Sequence, residues 1–256
     1  MFNMISAELY KLRKSNSFWI MITVAVLVAA MGSVMFGTLS ADDLMGLRPE
    51  SASEMLNTAI PMNIQTILFI LVGFTIVFVT GDFESGTVRN PLAVGVSRLE
   101  YYMAKFIGIL IICAVFIIVT LLATVLPYFM YEPWGDAFIF GNFMASVGVG
   151  YLILVAQATL FMAVGMMMRK FGATLGIIMG YLVLDMILSA FIMMVEVEGF
   201  LRTLANILPS PAGFYLGYLA IGEANFGNVM MVVVISIAMI VVFSLLALGS
   251  LVRKDV

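Results

Sequence analysis

The chain has 256 residues, of which 63% are hydrophobic and 11% are charged, and its formal net charge is −3. Soluble domains contain roughly 45–50% apolar and 25% charged residues, so much of this apolar surplus must face lipid. The composition therefore predicts one integral membrane domain and leaves no room for a soluble catalytic domain. The small net charge gives no sign of a nucleic-acid partner.

Two residue types that often support chemistry are scarce. The chain has no histidine, which removes the commonest metal ligand and the usual proton shuttle near neutral pH. Its single cysteine, Cys113, lies in an apolar run and allows no intramolecular disulfide. We therefore expect neither a metal site nor a catalytic site in this chain.

Residues 1–16 have the pattern of an amphipathic helix. The apolar residues with helical spacing are Phe2, Ile5, Leu9 and Leu12, and the basic residues among them are Lys11, Arg13 and Lys14. Because a membrane span follows, we expect this helix to lie in the bilayer interface with its basic groups among the headgroups. The alternative is the charged region of a signal peptide, but the next apolar run exceeds the roughly 7–15 residues of a signal-peptide core.

Six apolar runs reach the roughly 20 residues that a helix needs to cross a bilayer. They are residues 17–39, 59–79, 105–126, 138–168, 173–195 and 229–252. The fourth run is long for one crossing, so we expect it to tilt or to extend past the headgroups. Arg169 and Lys170 leave room only for a tight turn into the fifth span. The sequence therefore predicts an all-α membrane protein with six spans.

The basic residues of the connecting segments indicate which side of the membrane each segment faces. Ten of the twelve fall on one side, namely Lys11, Arg13, Lys14, Arg89, Arg98, Lys105, Arg169, Lys170, Arg253 and Lys254. The other side holds Arg48 and Arg202. We therefore expect the first side and both termini to face the cytoplasm.

The segment before the last span, residues 196–227, is too apolar for an ordinary solvent-exposed loop. Its helix-spaced apolar residues are Leu201, Leu204 and Ile207, and the prolines expected to break the chain are Pro209 and Pro211. Two interpretations remain open. The segment forms one or two short re-entrant helices in the outer leaflet, sheltered by protein, or it forms a surface helix with a linker.

The polar segment 80–104, between the second and third spans, is the candidate contact surface. It has no histidine, no cysteine and no phosphate-binding glycine loop, so a contact role fits it better than catalysis. We expect Glu84 and Thr87 near the start of a short helix that Asn90-Pro91 ends, because a residue before proline is disfavoured in helical conformation.

The end of this segment has the pattern of a helix start. Ser97 and Glu100 have the spacing of a capping box, so the third span is expected to begin at Ser97. Arg98 and Lys105 then fall on an extension of the span beyond the membrane. We interpret them as solvated charges that enforce the topology.

The residues of this segment form a recognisable pattern. It consists of Glu84, Gly86-Thr87, Leu92-Ala93, Ser97-Arg98 and Lys105. The pattern resembles the first cytoplasmic loop of ABC-2 type permeases, the membrane subunits of a class of ATP-binding-cassette transporters. The basic first helix, the six spans and the helical insertion before the last span are similar to that family over the whole chain. Asn90-Pro91 departs from the leucine-rich stretch usual there, which leaves the end of the loop helix unassigned.

The resemblance implies that the loop forms a coupling helix seated in a groove of a separate ATPase. The residues it assigns to ATPase coupling are Glu84, Gly86, Thr87, Arg89 and Arg98, with Glu84 as the anchor. It also implies that two permease copies pair with two ATPases. The chain has no Gly-x-x-x-x-Gly-Lys-Ser/Thr motif, so we expect no cofactor here and place ATP and Mg²⁺ on the partner subunit.

Polar and small residues also occur within the spans. Gly172, Gly176 and Gly180 share one face of the fifth span and allow close approach of a helix, from the same bundle or from a second subunit. Asp185 lies deeper in that span, and Gln157 lies in the fourth. An intramembrane carboxylate is costly and is by default a functional candidate, here for the substrate path. The alternative is a neutral or hydrogen-bonded Asp185 that holds neighbouring helices together.

The predicted function is ATP-driven export, with an amphipathic or antimicrobial peptide as the favoured substrate. The small size resembles the permeases of lantibiotic-immunity and phenol-soluble-modulin exporters, and the 22 methionines suit irregular apolar partners, although they suit lipid as well. Exporters of drugs, lipids or ions are alternatives. Different classes are an ion-coupled secondary transporter, disfavoured by the lack of visible repeats with broken helices, and a non-transporting membrane scaffold. We expect the protein in a bacterial plasma membrane.

Overall fold

The computed structural model describes residues 2–38, 49–135, 138–194 and 208–253, and within these ranges all regular structure is helical. The helices are α1 (Phe2–Lys14), α2 (Asn16–Thr38), α3 (Ala52–Glu84), α4 (Arg89–Ala93), α5 (Arg98–Tyr128), α6 (Phe140–Met168), α7 (Phe171–Met194), α8 (Pro209–Ile221) and α9 (Phe226–Arg253). In the described ranges six of them are long and apolar enough to cross a membrane: α2, α3, α5, α6, α7 and α9. The prediction of an all-α fold with six spans is confirmed.

The core of the bundle lies around α6. This helix packs against α3, α8 and α9, and α5 joins α3 to α2. Of the most apolar stretch of α6, 67% is buried, against 22% for α2, α7 and α9. The outer three helices therefore present most of their apolar surface to lipid.

The central helices are longer than the membrane is thick. At about 1.5 Å per residue, α3, with 33 residues, extends about 50 Å, whereas a hydrocarbon core measures about 30 Å. The predicted spans 59–79 and 105–126 therefore lie inside the longer helices α3 and α5. The predicted loop 80–104 is correspondingly too long, because α3 ends at Glu84 and α5 begins at Arg98, which leaves only residues 85–97 between them.

Polar caps, and not the limits of the apolar runs, set these helix ends. The Ser97 side chain accepts a hydrogen bond from Glu100 N at 3.2 Å, and Ser97 N donates to Glu100 Oε2 at 3.1 Å. The capping box predicted at the start of the third span is thus confirmed. The tight turn between the fourth and fifth spans is also present: Arg169 ends α6 with φ 57° and α7 begins two residues later.

The prolines before the last span begin a helix. Pro209 is the first residue of α8, a position where its missing N–H group has no helical partner to lose. A break is present before Pro209, where Leu208 is extended, but Pro211 lies in the first turn of α8 and does not interrupt it. The expected helix around Leu201 and Ile207, like Arg202, lies outside the described residues.

Helix α8 is packed inside the bundle. Ala212, Leu216 and Ala220 recur every four residues and are buried, and Ser146 Oγ of α6 donates to Leu216 O at 2.9 Å. Its first turn contacts Asp185, which lies about 21 Å along α7 from its start at about 1.5 Å per residue. A short helix that begins beside the middle of a span favours the re-entrant interpretation over a surface helix.

Most of the described basic residues gather at one end of the bundle, which we call the basic end. It carries Lys11, Arg89, Arg98, Arg169 and Lys170. Contacts such as Arg98 Nη1 to Val252 O, at 2.6 Å, connect the helix termini there. We call the other end, where α5 stops and α6 starts, the opposite end.

Candidate functional site

The connecting segment, residues 85–97, follows α3 at the basic end and makes a compact turn before α4. Gly86 has φ +68°, a left-handed conformation that glycine adopts without steric cost. Val88 N then donates to Asp82 O at 3.2 Å, and the Val88 side chain is buried. The segment is therefore anchored to the end of α3.

The predicted position of the loop helix is wrong. Asn90-Pro91 does not end a helix that starts near Glu84; it lies in the first turn of α4, which begins at Arg89. Glu84 is instead the last residue of α3. Proline is tolerated in a first helical turn, because the amide it lacks would have no partner within the helix.

Glu84 joins α3 to α7. The backbone N–H of Phe171, the first residue of α7, donates to Glu84 Oε1 at 2.7 Å. A helix start has unpaired N–H groups and a partial positive charge, so a carboxylate stabilises it. The residue predicted to anchor an ATPase therefore holds two helices of its own chain together.

Thr87 connects the segment to Asp82. Its hydroxyl lies 3.2 Å from Asp82 Oδ1 and 3.0 Å from Ser85 Oγ. The other carboxylate oxygen of Asp82, Oδ2, accepts a hydrogen bond from Tyr101 OH at 3.2 Å and lies 2.7 Å from the ammonium group of Lys105. Asp82 thus lies between the connecting segment and α5.

Lys105 is at the centre of a group of charges that we call the Lys105 cluster, formed by Glu8, Lys11, Asp82, Tyr101 and Lys105. Lys105 Nζ lies 2.8 Å from Glu8 Oε2 and donates to Phe78 O at 2.8 Å, besides its contact with Asp82. Its ammonium group also lies 3.9 Å from the centre of the Phe78 ring. The side chains of Lys105 and Glu8 are both 1% exposed. Lys105 is therefore not the solvated charge expected from the sequence.

Lys11 closes the cluster on its outer side. Its ammonium group lies 2.9 Å from Glu8 Oε1 and 3.5 Å from Asp82 Oδ2. Burial alone would lower the pKa of Lys11, but the hydrogen bond with Glu8 and the charge of Asp82 raise it on balance. Removing either partner of a buried ion pair leaves an uncompensated charge, so the cluster fixes α1 against α3 and α5.

The sequence contained a signal for this cluster. Glu8 interrupts the apolar side of α1, three residues after Ile5 and four before Leu12. A carboxylate in such a position must either face water or find a partner. Its partner, Lys105, is distant in the chain, so the sequence pattern alone did not identify the pair.

Two further arginines have partners at the basic end. Arg98, interpreted from the sequence as a solvated charge, donates to Val252 O near the end of α9. A cation at this position stabilises the partial negative charge of a helix C-terminus. The guanidinium carbon of Arg169 lies 5.3 Å from the centre of the Phe83 ring, and its Nη2 lies 3.5 Å from Ser250 O. Arg98 and Arg169 therefore both join the end of α9 to the rest of this region.

A polar cleft opens beside the connecting segment, and we call it the Arg89 cleft. It has a volume of about 410 Å³, and the residues that line it are Phe83, Glu84, Ser85, Gly86, Val88, Arg89 and Arg169. The Arg89 side chain is exposed at its rim. Four of the five residues assigned to coupling by sequence (Glu84, Gly86, Thr87 and Arg89) thus lie together in or beside this cleft, whereas Arg98 lies against α9.

The intramembrane carboxylate has a different environment. Asp185 is fully buried, and its Oδ2 accepts from Ser210 Oγ at 2.6 Å. Ser210 N lies 3.4 Å from Oδ1, so the carboxylate faces the start of α8. Gln65 Oε1 of α3 lies 2.9 Å from the same hydroxyl. Asp185, Ser210 and Gln65 thus connect α7, α8 and α3.

The remaining sequence candidates separate into two groups. Gln157 accepts from Tyr181 OH at 2.8 Å, which joins α6 to α7. At Gly172, Gly176 and Gly180, a Cβ atom would meet no other described part of the chain within 4 Å. Within the described ranges, these glycines therefore do not serve close packing of one helix in this bundle against another.

A family model described as ABC-2 family transporter protein matches residues 4–185. The match includes the Lys105 cluster, the connecting segment and most of α7. No curated protein gives a significant match. With the match over most of the chain and six candidate spans, the chain belongs to the ABC-2 family of transporter proteins and is a multi-pass membrane protein.

Proposed function

We propose that this chain is the permease subunit of an ATP-driven exporter and that a separate ATPase drives it through the connecting segment. Proteins of this family are the membrane components of transporters and are not themselves catalytic, and membership implies an ABC ATPase partner. The observation that carries the proposal is the set of contacts that joins the connecting segment to three helices. Thr87 contacts Asp82, Asp82 pairs with Lys105, and Glu84 caps α7.

Through these contacts, a movement of the connecting segment would also move the helices that it is joined to. A push on residues 85–88 acts on the end of α3, with which the segment shares backbone hydrogen bonds. Asp82 and Lys105 pass the displacement to α5 and, through Glu8, to α1. Glu84 passes it to α7, the helix that also holds Asp185. Energy from ATP hydrolysis outside the membrane would thus reach the region where α8 begins.

The basic end faces the cytoplasm in this proposal. The excess of lysine and arginine there follows the rule that cytoplasmic loops of membrane proteins are basic. The ATPase would therefore bind at that end, in the plasma membrane of a bacterial cell. The side chain of Val94, after α4, is 87% exposed and offers an apolar contact beside the charged ones.

The proposed substrate is an amphipathic peptide. An apolar groove of about 730 Å³ between the ends of α6 and α9 is lined by Met167, Met168, Leu245 and Leu246. Methionine side chains adapt to irregular apolar partners, which suits the apolar face of a peptide helix. An exporter of this kind would take its substrate from the inner leaflet through such a groove.

We also propose that two copies of the permease act with two ATPases. The open face of α7 at Gly172, Gly176 and Gly180 suits close approach of a helix from a second copy. The exposed apolar side chains of the same helix, among them Val183 and Ile187, are compatible with lipid or with that second copy.

The test is to tag the chain, solubilise it gently from its native membrane and sequence the proteins that remain bound. A stoichiometric companion with a P-loop is expected, and its ATPase activity should fall when Glu84 is changed to arginine while membrane insertion is retained. The control is Glu223→Arg, which makes the same charge change at an exposed position at the opposite end. Repeated isolation of the intact chain without an ATPase would contradict the proposed function.

A further inference from the structure

We infer that the Arg89 cleft receives an acidic side chain of the ATPase and that Arg89 is its principal contact. This inference rests on the proposed function and specifies the chemistry of the contact. It differs from the expectation that Glu84 is the anchor, because an acidic anchor would require a basic partner.

The first step is that the described carboxylates of the basic end already have partners within the chain. Glu8 and Asp82 pair with Lys105. Glu84 accepts the first N–H group of α7, and Glu100 accepts from Ser97 in the capping box. Each of these four carboxylates therefore has a partner within the chain, and among them the side chain of Glu84 is exposed.

The second step is that cationic groups remain available. Arg89 is exposed, and no described carboxylate lies within ion-pair distance of it. Lys170, in the turn that also borders this region, is exposed as well. These two exposed cations outnumber the one exposed carboxylate beside them, Glu84, so the net accessible charge is positive. A net positive surface attracts an acidic partner and disfavours a basic one.

The third step is the shape of the cleft. Its volume of about 410 Å³ is enough for a single carboxylate side chain and some water, and its lining is largely polar. Arg89, Arg169 and the Glu84 carboxylate all line it. Arg169 lies over the Phe83 ring, and Glu84 accepts from the start of α7. A guanidinium group binds a carboxylate through two parallel N–H donors, so Arg89 can hold an incoming acid in a defined orientation.

The fourth step is access from water. Helix α3 extends about 50 Å, about 20 Å more than a hydrocarbon core, and this surplus is shared between its two ends. The cleft lies at its last turn, beyond the predicted span 59–79, and the side chains of Glu84, Ser85 and Arg89 are exposed there. A protein in the aqueous phase can therefore reach the cleft. This position favours an ATPase side chain over a lipid phosphate as the occupant.

The experiment uses the ATPase identified by copurification, expressed alone, and the full-length permease in nanodiscs. In the Arg89→Lys variant, a carbodiimide should join the introduced amine to an aspartate or glutamate of the ATPase, and peptide mass spectrometry should locate the link. Arg89→Glu should weaken ATPase binding on the order of tenfold or more, because it places like charges together. Lys14→Glu, which makes the same charge change at an exposed site on α1, should change the affinity less than about threefold, as expected for a rim charge.

Each outcome decides the inference. A link to an ATPase carboxylate together with selective loss of affinity in Arg89→Glu supports it. Unchanged affinity in Arg89→Glu, or equal losses in Arg89→Glu and Lys14→Glu, overturns it while leaving the proposed function intact. Links from the Arg89→Lys variant to phosphatidylserine headgroups in place of the ATPase would assign the cleft to lipid and also overturn it. If the wild-type chain binds no ATPase, the proposed function itself has failed.

Discussion

The basic end and the interior of the bundle both contain buried carboxylates, but they stabilise them in different ways. At the basic end, Glu8 and Asp82 share the ammonium group of Lys105. In the interior, Asp185 contacts the hydroxyl of Ser210 and faces the start of α8, and no described basic side chain lies within ion-pair distance of it. The positive charge of Lys105 therefore compensates Glu8 and Asp82, whereas hydrogen bonds and a helix terminus stabilise Asp185.

The difference has a mechanical meaning. A buried ion pair is costly to separate, so the Lys105 cluster is suited to hold α1, α3 and α5 together as one unit. A cap on a helix terminus is weaker, typically about 1 kcal/mol. The link between Asp185 and α8 is therefore the one that a conformational change can break and remake more easily.

The largest expected effect is at Lys105. Changing Lys105 to methionine keeps a long apolar side chain but leaves the buried Glu8 and the partly buried Asp82 with only the half-exposed Lys11 as a cation. We expect a loss of about 3–5 kcal/mol in the free energy of unfolding, as for other broken buried pairs. Thermal unfolding in detergent measures it, with the exposed Lys14→Met as the matched control.

The double variant Glu8→Gln with Lys105→Met sharpens this test. It also replaces the Glu8 carboxylate, one of the two that lose their ion pair with Lys105 in Lys105→Met. The double variant should therefore be more stable than the single Lys105 variant. Equal stability of Lys105→Met and Lys14→Met would show that the Lys105 cluster does not hold the basic end together.

A smaller effect is expected at Asp185. Asp185→Ala removes the acceptor at the start of α8 and should cost about 1–2 kcal/mol, the upper part of the range for a helix cap. Ser210 retains Gln65 as an alternative acceptor, which limits the loss. Asp185→Asn keeps an oxygen acceptor and should cost less than half as much in the same unfolding assay.

The Asp185 variants also separate a path residue from a structural one. If Asp185 lines the substrate path, Asp185→Asn should lower transport-linked ATPase activity while leaving the unfolding temperature almost unchanged. A parallel loss of both would assign Asp185 to the positioning of α8. A cost for Asp185→Ala as large as that for Lys105→Met would remove the distinction between the two regions.

The smallest effect is expected at Gly86. Its φ of +68° is unfavourable for a residue with a Cβ atom, so Gly86→Ala should cost about 1 kcal/mol. Gly81→Ala is the matched control, because Gly81 lies inside α3 with open space around its Cβ position and alanine is the better helix former. The two substitutions should shift the unfolding temperature in opposite directions, and shifts of the same sign would contradict the assigned turn geometry.

Much of the fold could be predicted from the sequence because membrane helices are encoded locally. Runs of apolar residues predicted six spans, and the Ser97–Glu100 spacing predicted a helix start that both hydrogen bonds confirm. The length of α3 was underestimated, since apolar content reports the lipid crossing and not the helical extension in water. The helix that starts at Pro209 and includes Pro211 was not predicted, because proline begins a helix as readily as it ends one.

The candidate site was less predictable because its contacts join residues far apart in the chain. Glu84 was identified, but its bond to Phe171 N depends on how α3 and α7 meet. Lys105 has the sequence position of a topology signal, but in the structure it is buried between Glu8 and Asp82. The family match supports the ATPase partner in general, and the choice of contact residue comes from the three-dimensional arrangement of charges.

The most direct test of the account is whether the ATPase binds beside the connecting segment. Val94→Cys and Met130→Cys provide matched probes, since the native side chains are 87% and 84% exposed and lie at the basic and opposite ends. The native Cys113 is fully buried, so a benzophenone maleimide should label the introduced thiols selectively. The account predicts that light links the ATPase to the probe at residue 94 and not to the probe at residue 130. Absence of a link at residue 94 in an intact complex, or equal links at both positions, would contradict it.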